Sequence, residues 1–224
     1  MWSVRCLCSG NVKYGDGLHW QRETATALRE GHGSEAIALI EHESVYTIGA
    51  RGGRATLRVP LEELPAPLVD TDRGGDVTWH GPGQLVAYPI LHLRRRGIGA
   101  GEYLAGLEGM LLDTLAAFGI RGERVSTRRG IWVDGNKVAA MGVRIQGGVS
   151  MHGIALNIAP DLGWFDAIVP CGIADAGVTS MAALLGAAPP FAAVVEAMRA
   201  AFESRFATTL VEVPADALRA AVPA

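Results

Sequence analysis

The chain has 224 residues, 49% of them apolar and 19% charged, with a formal net charge of −3. These values argue against disorder and leave no electrostatic pull toward nucleic acid or an anionic membrane. The length suits one domain over 1–224, with the Ala/Pro-rich stretch near residue 186 as the point where a small C-terminal lobe would begin.

Met1-Trp2-Ser3-Val4-Arg5 leads into no sustained apolar run, so no secretory signal is expected. Ala176–Val195 is mostly alanine and broken by Pro189-Pro190, too weak for a membrane span of about 20 apolar residues. Three cysteines make no disulfide framework, and the reducing cytoplasm is the expected location. Neither Cys6-Leu7-Cys8 nor the histidines carry zinc spacing, so neither a metal nor another cofactor is expected.

In chain order, a helix is predicted from about Gly17 to Glu30, with Leu18, Arg22, Ala25 and Leu28 on its inner face. Ala36–Ile40, Val45–Ile48 and Gln84–Leu91 read as strands, and Arg94-Arg95-Arg96 as a solvated loop. A second helix, about Gly101 to Phe118, places Leu104, Leu107, Leu111, Leu115 and Phe118 on one side and stops at Gly119. A meander follows. Ile131-Trp132-Val133 turns at Asp134-Gly135-Asn136 into Lys137–Ile145, which turns at Gln146-Gly147-Gly148 into Val149–Ile158. Asp-Gly and Gly-Gly between apolar runs mark hairpins, because those turns need positive φ. A third helix after Pro190 carries Phe191, Val194, Val195, Met198 and Phe202. The expected fold class is α+β, with a mixed, largely antiparallel sheet packed with helices.

Two features point past a plain core. Arg73-Gly74-Gly75 and His80-Gly81-Pro82-Gly83 place glycines in strand-like sequence, where backbone N–H groups can meet a carbonyl, phosphate or carboxylate. The phosphate-binding G-x-x-x-x-G-K-[ST] pattern is absent. Along the meander, Ala140 and Gly142 share one face, and Met151, Gly153 and Ala155 share another. Small residues on neighbouring strands leave a gap for a helix or for an apolar ligand.

Cys171 is the candidate nucleophile. Cys6 and Cys8 read as small buried hydrophobes, whereas Val169-Pro170-Cys171-Gly172 is loop sequence. An unaided thiol is only about 3% thiolate at pH 7, so it needs a cation or a base. Lys137, His80 and His152 are the candidates, and spacing does not choose among them. Lys137 otherwise reads as an exposed strand-end lysine. His152 alternates with Ile154, Leu156 and Ile158 and so reads as a hydrogen-bonded core histidine.

The run from Arg73 to Gln84, through Asp76-Val77-Thr78-Trp79-His80-Gly81-Pro82-Gly83, resembles the signature of the lipoyl(octanoyl) transferases. The likeness extends to His42–Gly49, Gly130–Ile145, Met151–Asn157 and Val169-Pro170-Cys171-Gly172, about residues 36 to 181. Trp79 departs from the tyrosine more usual there. The resemblance implies a biotin/lipoate ligase-like catalytic domain that transfers octanoyl groups from octanoyl-acyl carrier protein to lysines of lipoyl domains. Those acceptors are the lipoyl domains of 2-oxoacid dehydrogenases and the glycine cleavage H protein.

It further implies Cys171 as the acyl-carrying thiol and Lys137 as the residue that lowers its pKa. Arg73–His80, Ala140-Met141-Gly142 and Gly153-Ile154-Ala155 would bind the substrate, with His152 and Asn157 in support. The sequence does not identify the residues that close the acyl slot; Met141, Met151 and Trp79 are the candidates. The competing readings are an ATP-dependent lipoate or biotin ligase, a non-catalytic acyl-binding protein, and a hydrolase pairing Cys171 with His152. Gly49-Ala50-Arg51-Gly52-Gly53-Arg54 resembles the ligases' adenylate loop, but an adenylating enzyme has no need of Cys171.

Overall fold

A computed structural model describes residues 2–126, 128–169 and 177–215. The elements run β1 (Trp2–Val12), α1 (Tyr14–Glu30), β2 (Ala36–His42), β3 (Val45–Ile48), β4 (Leu68–Asp70), β5 (Val77–His80) and β6 (Gln84–Ile90). They continue with α2 (Leu93–Arg96), α3 (Ala100–Ala116), β7 (Glu123–Val125), β8 (Arg128–Val133), β9 (Asn136–Gln146) and β10 (Val149–Asn157). The last are α4 (Met181–Leu185), α5 (Phe191–Arg205) and β11 (Thr208–Glu212).

The main sheet has the order β11-β1-β2-β6-β10-β9-β8-β7, and a small one has the order β4-β3-β5. In the main sheet β1 runs parallel to β11 and β2, and every other pairing is antiparallel. The expected α+β class with a mixed, largely antiparallel sheet is therefore the observed one. Helices cover both faces of the central strands. Ile37, Leu39, Leu85, Ile154 and Leu156 pack under α3 and α5, whereas Ala38, Ile40, Val86, Tyr88 and Ala155 pack with α1. Burial on both faces explains why Ala36–Ile40 of β2 and Leu85–Ile90 of β6 are unbroken apolar runs rather than alternating ones.

The meander forms as expected. Asp134 and Gly135 take φ of 47° and 77°, and Gly147 and Gly148 take 60° and 82°, the sign that two-residue hairpins require. The sequence patterns predict neither β11, at the edge of the main sheet, nor β1 beside it. β1 carries Ser, Gly and Asn and is bulged between Ser9 and Val12, so its alternation is broken. The segment beyond residue 186 runs back onto the main core, where Val194, Met198 and Phe202 pack with Leu107, Met110 and Leu111.

Four local expectations are corrected. α1 begins at Tyr14, so its buried residues are Tyr14, Gly17, Leu18, Trp20, Gln21, Thr24, Ala25 and Leu28, and Arg22 is exposed. The i, i+3, i+4 pattern started one turn earlier puts Gln21 inward instead. Arg96 is not solvated. Its guanidinium pairs with buried Glu35 at 2.5 Å and lies 4.9 Å from the Trp2 ring centroid. Cys8 is exposed, since the core beneath the helices takes in Cys6 but not Cys8. Lys137 is buried, because its strand end is covered by the chain at Gly177–Thr179.

Candidate active site

A narrow cleft lies between the two sheets. It is lined by Tyr14 of α1, Arg73 to Thr78 without Gly74, His80 of β5, Val86 and Tyr88 of β6, and the facing runs 140–142 of β9 and 152–155 of β10. Its water-sized space is about 40 Å³, room for roughly three waters.

β5 splits by alternation. Thr78 and His80 face the cleft, while Trp79 turns into a separate apolar cluster and stacks on Trp164 at 5.5 Å. The cluster includes Tyr46, Ile48 and Phe165. Trp79 therefore neither lines nor closes the cleft, and its indole N–H finds no partner among the described residues. Met151 packs under α1 and likewise lies off the cleft, which leaves Met141 of the three residues considered for closing it.

The glycines serve backbone contact first. Gly74 donates its N–H to Val143 O at 2.9 Å, and a Cβ at Gly142 would lie 2.5 Å from Gly74 O. A Cβ at Gly153 would lie 2.0 Å from Ala87 O. The loop 73–75 thus lies directly on β9, filling part of the gap that small residues leave. The expectation that this stretch holds its N–H groups open for a ligand is corrected at Gly74 and at Gly83, which donates to Glu41 at 2.5 Å. Asp76 caps its own turn, accepting from Val77 N–H at 2.8 Å. Arg73 is buried, with Nη2 donating to Thr47 O at 2.7 Å and Oγ1 at 2.9 Å.

A directed hydrogen-bond relay crosses the sheet. Thr179 O, a carbonyl, can only accept, so Asn157 turns its Nδ2 toward it at 3.0 Å. Asn157 Oδ1 then accepts from Gln84 Nε2 at 2.9 Å, and Gln84 Oε1 meets His80 Nδ1 at 2.7 Å. His80 must carry its proton on Nδ1, leaving Nε2 as an acceptor. Asn157 is thus not a cleft residue but the middle of this relay. Burial, with nearby His42 and Arg73, pushes the His80 pKa down to about 3. His42 is held similarly: Nδ1 donates to Val12 O at 2.8 Å, Tyr88 O–H donates to Nε2 at 2.8 Å, and burial lowers its pKa to about 4.

His152 departs from the alternation that predicted a core ring. Its φ is +57°, a left-handed value uncommon for histidine, and its ring lines the cleft. Nε2 meets Asp72 Oδ1 at 2.7 Å, and Asp72 Oδ2 accepts from Arg144 Nη1 at 2.6 Å. Burial works against the Asp72 charge, but the His152 hydrogen bond and Arg144 outweigh it and hold that carboxyl below its ordinary range.

Lys137 Nζ sits 4.8 Å from the Trp132 ring centroid. Its N–H donates to Gly177 O at 2.9 Å, and its carbonyl accepts from Thr179 N–H at 2.9 Å. Cys171 lies outside the described residues. The chain on its two sides is anchored: Val169 N–H bonds Thr56 O at 2.7 Å, and Gly177 bonds Lys137. Among the described residues no group of three or more His, Cys, Asp or Glu could hold a metal, and no helix is long and apolar enough to cross a membrane.

Residues 13–203 match the family model of the lipoyl protein ligase A/B catalytic domain. The octanoyltransferase of Chloroflexus aggregans (strain MD-66 / DSM 9485) is 44% identical over 193 residues, covering 84% of this chain and 87% of its own. The octanoyltransferase of Bradyrhizobium sp. (strain BTAi1 / ATCC BAA-1182) is 44% identical over 218 residues, covering 93% and 89%. The chain belongs to the octanoyltransferase family.

Solved structures agree on the fold of this octanoyltransferase. A lipoate-protein ligase A bound with ATP superposes with a TM-score of 0.79 at 12% identity, covering 98% of this chain and 92% of that one. A T. acidophilum lipoate protein ligase homologue with bound lipoic acid gives 0.75 at 12%, with the same coverage.

Several residues of the octanoyltransferase site escaped the sequence reading: Tyr14, Gln21, Asp72, Val86 and Tyr88. The first precedes the expected helix, Val86 and Tyr88 sit in an apolar run that reads as core, and Asp72 stands just before the glycine-rich motif. Gln21 had a detectable signal, a polar residue on the inner face once the helix is started at Tyr14.

Proposed function

We propose that this octanoyltransferase carries the octanoyl group on Cys171 and passes it to a lysine of a lipoyl domain, in the lipoate biosynthesis its family serves. The observation that carries the reading is the burial of Lys137. It lies over the indole of Trp132, with its backbone clasped by Gly177 and Thr179, which follow Cys171 in the chain.

A buried ammonium close to a thiol favours the thiolate by several-fold to a thousand-fold when the two lie within about 4–6 Å. The Cys171 thiolate attacks the donor thioester carbonyl, the C–S bond to pantetheine breaks, and the leaving sulfur takes a proton from Lys137. In the second step the acceptor amine attacks the acyl-Cys171 carbonyl and the cysteine sulfur leaves. Amide formation from a thioester is downhill, so no ATP is consumed. The acyl chain lies along Ala140–Gly142 and Gly153–Ala155, beneath Arg73–Thr78 and His80. Octanoyl-acyl carrier protein is the donor, lipoyl domains and the glycine cleavage H protein are the acceptors, and the setting is the cytoplasm.

The ligase-like run Gly49–Arg54 weighs against adenylation. Gly49, Ala50, Arg51 and Gly52 donate their N–H groups to Asp76, Arg73, Gly75 and Gly49 carbonyls, so four donors are already engaged within the protein.

Intact-mass measurement after incubation with octanoyl-acyl carrier protein, without ATP or Mg²⁺, tests the reading. One octanoyl adduct, mapped to Cys171, absent in Cys171→Ala and discharged by a lipoyl domain, is expected. An adduct that survives Cys171→Ala overturns it.

A further inference from the structure

His152 holds an unspent nitrogen. Its side chain is 2% exposed, it lines the cleft, and Nδ1 is buried with no hydrogen-bond partner among the described residues. The other nitrogen faces the Asp72 carboxylate at 2.7 Å. An ionised carboxylate only accepts, so Nε2 carries the ring proton. Burial outweighs Asp72 and keeps the ring below the ordinary imidazole range, so at neutral pH Nδ1 is a bare lone pair. The arrangement is held against backbone strain: His152 N–H donates to Gln21 Oε1 at 2.7 Å while φ stays at +57°.

A bare nitrogen has nothing to give an oxyanion or a leaving sulfur. It can only receive a hydrogen, and the acyl chain offers none. Among the reacting groups of the two-step reading, the amine of the acceptor lysine is the donor that must lose protons. We propose that His152 Nδ1 receives that amine in the second half-reaction, with Asp72 and Gln21 as positioning residues that set the tautomer and the ring's direction.

The acceptor lysine arrives as an ammonium, and one of its protons passes to Nδ1 and then to solvent, which frees the lone pair that attacks. As the Nζ–carbonyl bond forms and the Cys171 C–S bond breaks, a second proton passes to Lys137, left neutral by the first half-reaction, and the amide keeps the third hydrogen. The charged and titratable groups around the ring are Asp72 and Arg144 at the rim, Arg73, Arg22 and Tyr14 beside it, and His80 across the cleft. Asp72 favours the imidazolium, and Arg73 and Arg22 oppose it.

The proposal rests on the acyl-Cys171 reading, so the test separates the half-reactions. Acylation by octanoyl-acyl carrier protein and discharge by a lipoyl domain are timed by quenched intact mass in wild type and His152→Gln. The glutamine keeps a donor for Asp72 and removes the Nδ1 acceptor. Discharge is expected to slow about 100-fold relative to acylation. A relative loss under about tenfold, including equal loss in both steps, overturns the proposal.

Asp72→Asn supplies an independent readout should His152→Gln fail to fold. Loss of the carboxylate charge lowers the imidazole pKa, so the acid limb of discharge against pH moves down by about one unit. An unmoved limb overturns the proposal. Failure of the wild-type protein to form the Cys171 adduct overturns the two-step reading itself, and is thereby distinguished from failure of the histidine's role alone.

Discussion

Gln84 donates its side-chain N–H to Asn157 at 2.9 Å, the middle link of a relay whose direction the Thr179 carbonyl sets as far as His80. Gln84→Glu replaces the donor with an oxygen, leaving two acceptors face to face at a site only 1% exposed. No flip of Asn157 cures this, because the flipped amide sets its oxygen against Thr179 O. A loss of about 2 kcal/mol is expected, read from urea unfolding. Retention of wild-type stability would show that the relay is not directed as argued.

Stability should fall with acid well before the carboxylates titrate. His42 and His80 are held near pKa 4 and 3 in the folded state, against about 6.5 unfolded. Both depressions favour proton uptake by the unfolded chain, so stability is full above pH 6.5 and drops as pH falls toward 4. Between pH 7 and 5 the two together should remove roughly 3–4 kcal/mol. Urea midpoints at the two pH values measure it, and His42→Gln should reduce the difference by about half.

Glycine substitutions should separate loop from ladder. At Gly142 an added methyl meets Gly74 O at 2.5 Å, and the loop 73–75 has to lift. Gly142→Ala should cost about 1–3 kcal/mol and lower acylation by octanoyl-acyl carrier protein. At Gly153 the methyl meets Ala87 O at 2.0 Å inside the β6–β10 ladder. Gly153→Ala should cost about 3 kcal/mol or more, visible as a lower melting temperature.

Chain length offers a further check. Ala140 pairs with Ala155, one step along the cleft from the Gly142–Gly153 pair. Ala140→Val should fill the slot there and shift preference from octanoyl to hexanoyl donors. Two methylenes at about 0.8 kcal/mol each amount to roughly tenfold. Paired acylation rates with the two donors would show it, and equal slowing with both would place the chain elsewhere.

Much of this protein was legible along the chain. The meander, with its Asp-Gly and Gly-Gly turns, follows from local rules of φ and alternation. Helices α3 and α5 are read from periodic apolar residues, and the run Arg73–Gln84 with Lys137 and Cys171 marks the family. Such features depend on residues a few positions apart, where side-chain direction is set by backbone period alone.

Other features required the folded chain. Alternation assigned His152 to the core, but a left-handed φ, held by Gln21 from 131 residues away, turns its ring into the cleft. Lys137 read as a surface lysine until Gly177 and Thr179 closed over it. Trp79 was grouped with the substrate-binding run, yet the pairing of β5 with β3 turns it onto Trp164. In each case contacts between distant segments determine where a side chain points and what it can protonate, and no local period records them.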